Sequence, residues 1–280
     1  MKLAEAKASI FNECSLLYDE DELTAISWRI FAHLSDKNKL EIILDKNIEF
    51  DSTQLDNIIS QLKNNKPVQY ILGYEWFGNL KLKVNENVLI PRPETEELTR
   101  IFIKNITKKN QPDPKIIDIG TGSGCIPVLI KKELPAVQVF AMDVSEKAIE
   151  LAKKNAAIHE TDINFIQANI LDETLDLNEK FDFIISNPPY ILHEEKNEMN
   201  TRVFEHEPQI ALFVTQNDPL EFYKAILFFA KKHLKQKGSV FLEINQLYGA
   251  AIKSLFENYD YKCEIVKDMY GNNRFAVAVK

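Results

Sequence analysis

Lys115-Ile116-Ile117-Asp118-Ile119-Gly120-Thr121-Gly122-Ser123-Gly124 is the stretch that decides the fold. A short apolar run of strand composition carries an acid near its end and passes at once into three glycines at alternate positions. Glycine lets the main chain turn sharply and leaves space for a ligand to approach it. A helix is predicted to start near Cys125, and in such strand–turn–helix units ligands bind beyond the carboxyl end of the strand. The spacing is GxGxG. A dinucleotide fingerprint would need GxGxxG, and no Gly-Lys-Ser/Thr follows to mark a phosphate-binding P-loop.

Working outward, strands are predicted at Lys115–Ile119, Gln138–Met142, Ile163–Ile166, Phe181–Ser186 and Ser239–Ile244, with two more near Tyr261–Val266 and Phe275–Val279. Helical stretches such as Glu146–His159 and Leu220–Leu234 lie between them. This alternation predicts a mostly parallel, Rossmann-like sheet covered on both faces. The last two strands are too close in sequence for a crossover helix, so they should form an antiparallel hairpin. The second strand runs into Asp143, and a carboxylate there can accept both hydroxyls of a ribose. Glycines without a phosphate signature, followed by a ribose acid, suggest an adenosine not carried on pyrophosphate. S-adenosylmethionine fits, and its cationic groups would suit Asp118 or nearby carbonyls.

The fourth strand ends in Ser186-Asn187-Pro188-Pro189-Tyr190. Two prolines stiffen this loop and remove two backbone donors while their carbonyls remain acceptors. Asn187 adds a side-chain acceptor and donor, and Tyr190 an aromatic face. Such a loop is suited to gripping an NH₂ group and presenting its nitrogen to a methyl donor. An amide or aromatic amine has a delocalised lone pair and cannot be deprotonated beforehand by an ordinary side chain. Catalysis must then come from positioning, electrostatics and a dry site, in a single displacement.

The 280 residues suggest about two domains. Residues 1–73 read as a small helical bundle: Leu23, Ile26, Ile30 and Leu34 share helical spacing, as do Leu55, Ile58, Ile59 and Leu62. Leu40, Ile43 and Leu44 form a shorter stripe, and Ser52 marks the start of the helix carrying Leu55. Residues 74–93 read as a β-hairpin linker, with Leu80, Leu82 and Val84 alternating with lysines, and residues 94–280 as the α/β domain. Glu94-Thr95-Glu96-Glu97 opens a helix with acids in its first turn.

Net charge is −8, and residues 1–73 supply half of it with eight basic against twelve acidic side chains. That balance argues against a protein that holds nucleic acid mainly by charge. No apolar run approaches membrane-spanning length, and the first residues lack a signal-peptide core. Three widely spaced cysteines without a CxxC pair indicate free thiols in a reducing, cytoplasmic setting, and no metal site is expected.

Taken together, these segments resemble the N5-glutamine methyltransferases of bacterial peptide chain release factors. The resemblance covers nearly the whole chain. It includes Pro91-Arg92-Pro93-Glu94-Thr95-Glu96, Asp118 to Gly124, Asn187-Pro188-Pro189-Tyr190, Glu207-Pro208 followed by Ala211-Leu212, and Asp268-Met269-Tyr270-Gly271-Asn272-Asn273-Arg274. It implies a class I S-adenosylmethionine-dependent fold and transfer of a methyl group to the glutamine of a Gly-Gly-Gln loop, with S-adenosylhomocysteine as product. It further implies cofactor contacts at Gly120, Thr121, Gly122, Ser123, Gly124, Asp143, Asn169, Ile170 and Asn187. Asn187 and the Pro188 carbonyl would hold the glutamine amide, with Tyr190 packed against it and Pro189 completing the grip. Relatives often carry an acid and a bulky aromatic where this chain has Asn169 and Ile170. Arg92 and Glu94 are expected to help close the pocket, and the helical bundle to contact the release factor. The Pro-Glu-Thr-Glu continuation favours this branch over a sister group that acts on a ribosomal protein. An adenine-N6 DNA or RNA methyltransferase would face the same chemical problem with the same loop, but it needs a basic groove. A non-catalytic adenosine-binding module would not need the Asn187 loop.

Overall fold

The computed structural model describes residues 1–109, 112–198 and 201–280. The chain divides into two compact units, Met1–Tyr74 with Asn200–His206, and Glu75–Met199 with Glu207–Lys280.

The first unit is helical. Helices Leu3–Cys14, Glu20–Ser35 and Ser52–Lys63 bury Ile10, Leu23, Ile30, Leu55 and Leu62 in one core. Asp19 and Asp51 cap two of them, their carboxylates accepting from the Glu22 and Gln54 amides at 2.8 and 3.1 Å. The start expected at Ser52 is therefore right in place, but Asp51 supplies the cap and Ser52 is the first helical residue. The stripe of Leu40, Ile43 and Leu44 faces outward: the helix Lys39–Leu44 has too few turns for two faces and buries Ile42 instead. The helix Thr201–His206, far away in sequence, belongs to this unit. Its Arg202 guanidinium lies 3.9 Å over the Tyr18 ring, pairs with Glu22 and donates to the Leu17 carbonyl at 2.7 Å.

The second unit holds a two-stranded sheet, β1 (Tyr74–Phe77) and β2 (Leu80–Lys83). It also holds a seven-stranded sheet of β3 (Lys115–Ile119), β4 (Gln138–Asp143), β5 (Asn164–Gln167), β6 (Phe181–Ser186), β7 (Leu234–Glu243), β8 (Lys262–Lys267) and β9 (Asn273–Val279). The strand order is β5-β4-β3-β6-β7-β9-β8, parallel except where β9 pairs antiparallel with β7 and β8. The expected α/β architecture with an antiparallel C-terminal end is what forms. All of β6 is buried, as a central strand covered on both faces must be. Two apolar layers do the covering. One contains Phe102, Leu129, Phe183 and Phe241; the other contains Tyr223, Ile226, Ile252 and Phe256.

Register places the site. Ile119 pairs with Met142 on one side and Ser186 on the other, and Ser186 pairs with Leu242. The glycine loop, Asp143, Asn187 and Glu243 therefore all emerge at one level, along the carboxyl edge of four adjacent strands. The hairpin expected as a linker is sewn into this unit. Phe77, Leu80 and Leu82 join its core, the Gly78 amide donates to Glu96 at 2.8 Å, and Asn155 clasps both the amide and the carbonyl of Lys83.

Candidate active site

The glycine loop begins where β3 ends. Gly120, Gly122 and Gly124 all have positive φ, a region that costs other residues roughly 1–2 kcal/mol. Two of them serve different ends. A Cβ on Gly122 would meet nothing within 4 Å, so this glycine leaves the main chain bare on the open side. A Cβ on Gly124 would sit 3.0 Å from the Ala152 Cβ, so this glycine lets the helix Cys125–Glu133 dock closely against the helix Glu146–Ile158. The buried Asn155 steadies the loop by donating to the Ser123 carbonyl at 2.8 Å.

Asp143 sits at the end of β4. Its two oxygens accept from the Gly122 and Ser145 amides at 2.8 and 2.9 Å. Each carboxylate oxygen has a second lone pair, so both can still accept a ribose hydroxyl. Burial raises its carboxyl above the ordinary value, and the Ser145 and Gly122 amides pull the other way.

A cleft opens to solvent over this edge. Gly120, Gly122, Asp143, Asn169, Ile170, Asn187, Pro188 and Pro189 line it, so most of the expected cofactor and substrate residues meet in one place. Met142, Ala168, Phe222 and Ile226 give it an apolar wall suited to a planar base. Asn169 spends its side-chain oxygen on the Leu171 amide at 3.0 Å, which leaves its NH₂ group to donate to an adenine edge. Thr121, Ser123 and Gly124 do not line the cleft; the first two are buried behind it.

The residues fit a cationic adenosine ligand by a further observation. Asp118 is fully buried, and neither of its oxygens has a hydrogen-bond partner among the described residues. Burial pushes its carboxyl up to about 7; the nearby Thr121 hydroxyl pulls the other way without completing a hydrogen bond, and the Asp143 charge adds to the rise. A buried carboxyl without a donor is costly, and a positive ligand group near the loop would offset that cost.

On the other side of the cleft, Asn187 donates through Nδ2 to the Thr95 hydroxyl at 2.9 Å, and Thr95 donates to Glu243 Oε2 at 2.7 Å. The Tyr190 hydroxyl lies 3.4 Å from Glu243 Oε1, and its ring packs on the sheet rather than lining the cleft. Burial raises the Tyr190 phenol well above its ordinary value, with the Glu243 charge adding to the rise. Glu243 is buried, and desolvation lifts its carboxyl to about 7; the Thr95 hydroxyl and Arg274 oppose the rise, while Glu94 adds to it.

Arg92 does not line the cleft. It pairs at 2.5 Å with the buried Glu207, which also accepts from the Ile90 amide at 3.1 Å. That clip joins two rim segments, since Val88 and Leu89 line the cleft on one side, and Pro208 and Ala211 on the other. Glu94 is half-buried in the first turn of the helix Pro93–Lys109. Sequence reading missed Thr95, Asn155, Glu207 and Glu243 as working residues. Glu243 carried a usable signal: like Asp118 and Asp143, it is an acid at the carboxyl end of a strand.

Known proteins resemble this chain along most of its length. Residues 90–210 match the Methyltransferase small domain family, and residues 11–73 match the PrmC N-terminal domain. A protein of Flavobacterium psychrophilum named release factor glutamine methyltransferase is 44% identical over 98% of this chain and 95% of its own length. One of the same name from Bacteroides thetaiotaomicron is 36% identical over 94% of each chain. The crystal structure of a methyltransferase from Pyrococcus furiosus superposes with a TM-score of 0.52 at 19% identity, covering 80% of this chain and 98% of that one, a likeness of fold alone.

Proposed function

We propose a residue-level mechanism for a chain that belongs to the release factor glutamine methyltransferases: the cleft of its second unit methylates the side-chain amide nitrogen of a release-factor glutamine. The observation that carries this reading is the placement of Asn187 and the glycine loop on one cleft, at one level of the sheet.

S-adenosylmethionine, when bound, supplies an electrophilic methyl carbon on a positively charged sulfur. Gly120 and Gly122 offer bare main chain to it, Asp143 receives the ribose hydroxyls, and Asn169 and Ile170 bound the base. Asp118 supplies the negative charge for its cationic end.

The glutamine amide is held by acceptors. Asn187 Oδ1 and the Pro188 carbonyl each take one N–H of the substrate, which orients the nitrogen without removing its proton. Pro188 and Pro189 carry no amide hydrogen, so the loop presents no competing donor beside them. Acceptors become more favourable partners as the nitrogen gains positive character, so the same contacts act more strongly in the transition state than before it. Bound there, S-adenosylmethionine would supply the methyl group and leave as S-adenosylhomocysteine, and the surplus proton of the glutamine nitrogen would pass to water. Arg92, through Glu207, keeps the rim in place. The helical unit, acidic and solvated, engages the release factor body, which suits a basic partner surface.

The test is transfer of labelled methyl from S-adenosylmethionine to purified release factor and, in parallel, to DNA and RNA oligonucleotides. Label in the release factor is expected. Label in nucleic acid alone would replace this reading with an adenine methyltransferase.

A further inference from the structure

A side-chain amide has two ends that differ only in whether they donate or accept, and the grip above works only if the oxygen of Asn187 faces the substrate. Nothing in an Asn-Pro-Pro-Tyr loop dictates that choice. Asn187 follows β6, with its backbone carbonyl 4.0 Å from where a Cβ on Gly120 would sit, and its side chain can rotate by half a turn about its last bond at little steric cost.

The contacts behind Asn187 settle the matter. Its Nδ2 donates to Thr95 Oγ1 at 2.9 Å, and Thr95 donates onward to Glu243 Oε2 at 2.7 Å. A hydroxyl has one proton. With Glu243 ionised, Thr95 gives that proton to a carboxylate oxygen and can only accept from Asn187, so only the NH₂ end can then face inward; a protonated Glu243 would free Thr95 to donate the other way. The second oxygen of Glu243 lies 3.4 Å from the Tyr190 hydroxyl, so one buried carboxyl touches both arms of the loop. Thr95 is itself 3% exposed, and its backbone carbonyl accepts from the Thr99 hydroxyl at 2.8 Å.

We infer that Thr95 and Glu243 are positioning residues of the methyl transfer, forming a one-way hydrogen-bond relay that fixes the Asn187 side chain with its oxygen toward the glutamine amide. The relay rests on the glutamine reading of the cleft, but its direction is set by the protein's own donors and acceptors. Neither residue needs to touch substrate or cofactor. The 148 positions separating Thr95 from Glu243 explain why the pair is silent in the sequence: a helix start and a strand end meet only through the sheet register.

A purely structural role would make Thr95 matter for stability, and a relay makes it matter for turnover. The test compares Thr95→Val, which keeps the shape and deletes the hydroxyl, with Thr95→Ser, which keeps the hydroxyl and deletes a methyl. At pH 8, where Glu243 is ionised, and at saturating S-adenosylmethionine and release factor, Thr95→Val should lower kcat by roughly 10²-fold, in the range for loss of one preorganised hydrogen bond in an active site. Thr95→Ser should recover most of the rate, and cofactor affinity should stay within about twofold in both. In an Asn187→Ala background Thr95→Val should cost nothing more, because the two residues act as one unit. Independently of turnover, the Asn187 side-chain NH₂ protons should be protected from solvent exchange in the wild type and in Thr95→Ser, and exposed in Thr95→Val.

Unchanged kcat in Thr95→Val would overturn the relay. So would a full additional loss in the Asn187→Ala background, or NH₂ protection that survives Thr95→Val. A wild-type protein that methylates no glutamine at all would instead remove the reading of the substrate, and the exchange measurement would still decide the relay.

Discussion

In the helical unit Asp19 and Asp51 stay in water and work locally, each capping a helix, and the half-exposed Glu22 pairs with Arg202. In the second unit Asp118, Glu207 and Glu243 are all at most 4% exposed, at strand ends or on the rim of the cleft. An exposed cap is replaceable at about 1 kcal/mol. A buried carboxyl is expensive to keep, and a protein that keeps three of them around one cleft is using them for something other than stability. The contrast separates a scaffold that tolerates change from a site that does not.

The largest effect belongs to the residue that Glu243 serves through Thr95. Asn187→Ala should lower kcat by at least roughly 10²-fold, while stability falls by no more than about 1 kcal/mol for the lost hydrogen bond to Thr95. Equal losses in kcat and stability would erase the contrast.

Asp118→Asn should weaken S-adenosylmethionine binding by about 10-fold, on the scale of one buried charge acting through the glycine loop rather than by contact. The ligand-free variant should at the same time be more stable than wild type at pH 8. Isothermal titration and thermal unfolding on the same samples check both, and a variant that is destabilised while binding normally would contradict the assignment.

The pH dependence has a definite sign. Asp118 and Glu243 hold their protons up to about 7 in the folded chain, well above ordinary carboxyls. Between about pH 4 and 7 the folded state therefore binds more protons than the unfolded one, and the ligand-free protein should lose stability as pH rises through that window. The fall should level off above about pH 7, and Asp118→Asn should remove its share of the slope. Urea unfolding at pH 5 and pH 8 measures it.

The smallest effect lies in the helical unit. Asp51→Ala should cost about 1 kcal/mol of stability and leave methylation of a short glutamine peptide unchanged. A loss of peptide turnover there would show that the two units do not divide labour as described.

Much of this was legible beforehand because the informative residues sit at strand ends, where local pattern and ligand position coincide. Gly120, Gly122, Asp143 and Asn187, singled out on that pattern, line one cleft. β7 was expected from Ser239 but runs from Leu234; Lys237 has positive φ and the pairing with β6 shifts register between Phe181 and Phe183, which hides the strand's polar start. The place of the helix Thr201–His206 in the helical unit depends on Arg202 finding Tyr18, a contact across more than 180 residues that no periodicity encodes. Arg92 was expected to help close the pocket; its pairing with Glu207, a buried acid 115 positions away, could not be seen in the sequence. Thr95 lay inside a segment already singled out, but its acidic neighbours drew the reading toward helix capping.

The central claim is that the Asn187 loop presents acceptors to a glutamine amide. Mass spectrometry of the release factor's Gly-Gly-Gln peptide, after incubation of intact release factor with S-adenosylmethionine and either wild-type protein or Asn187→Ala, tests it most directly. One methyl group on the glutamine side-chain nitrogen is expected with wild type and only a trace with the variant. Equal methylation by both, or a methyl group on any other residue, would contradict the account.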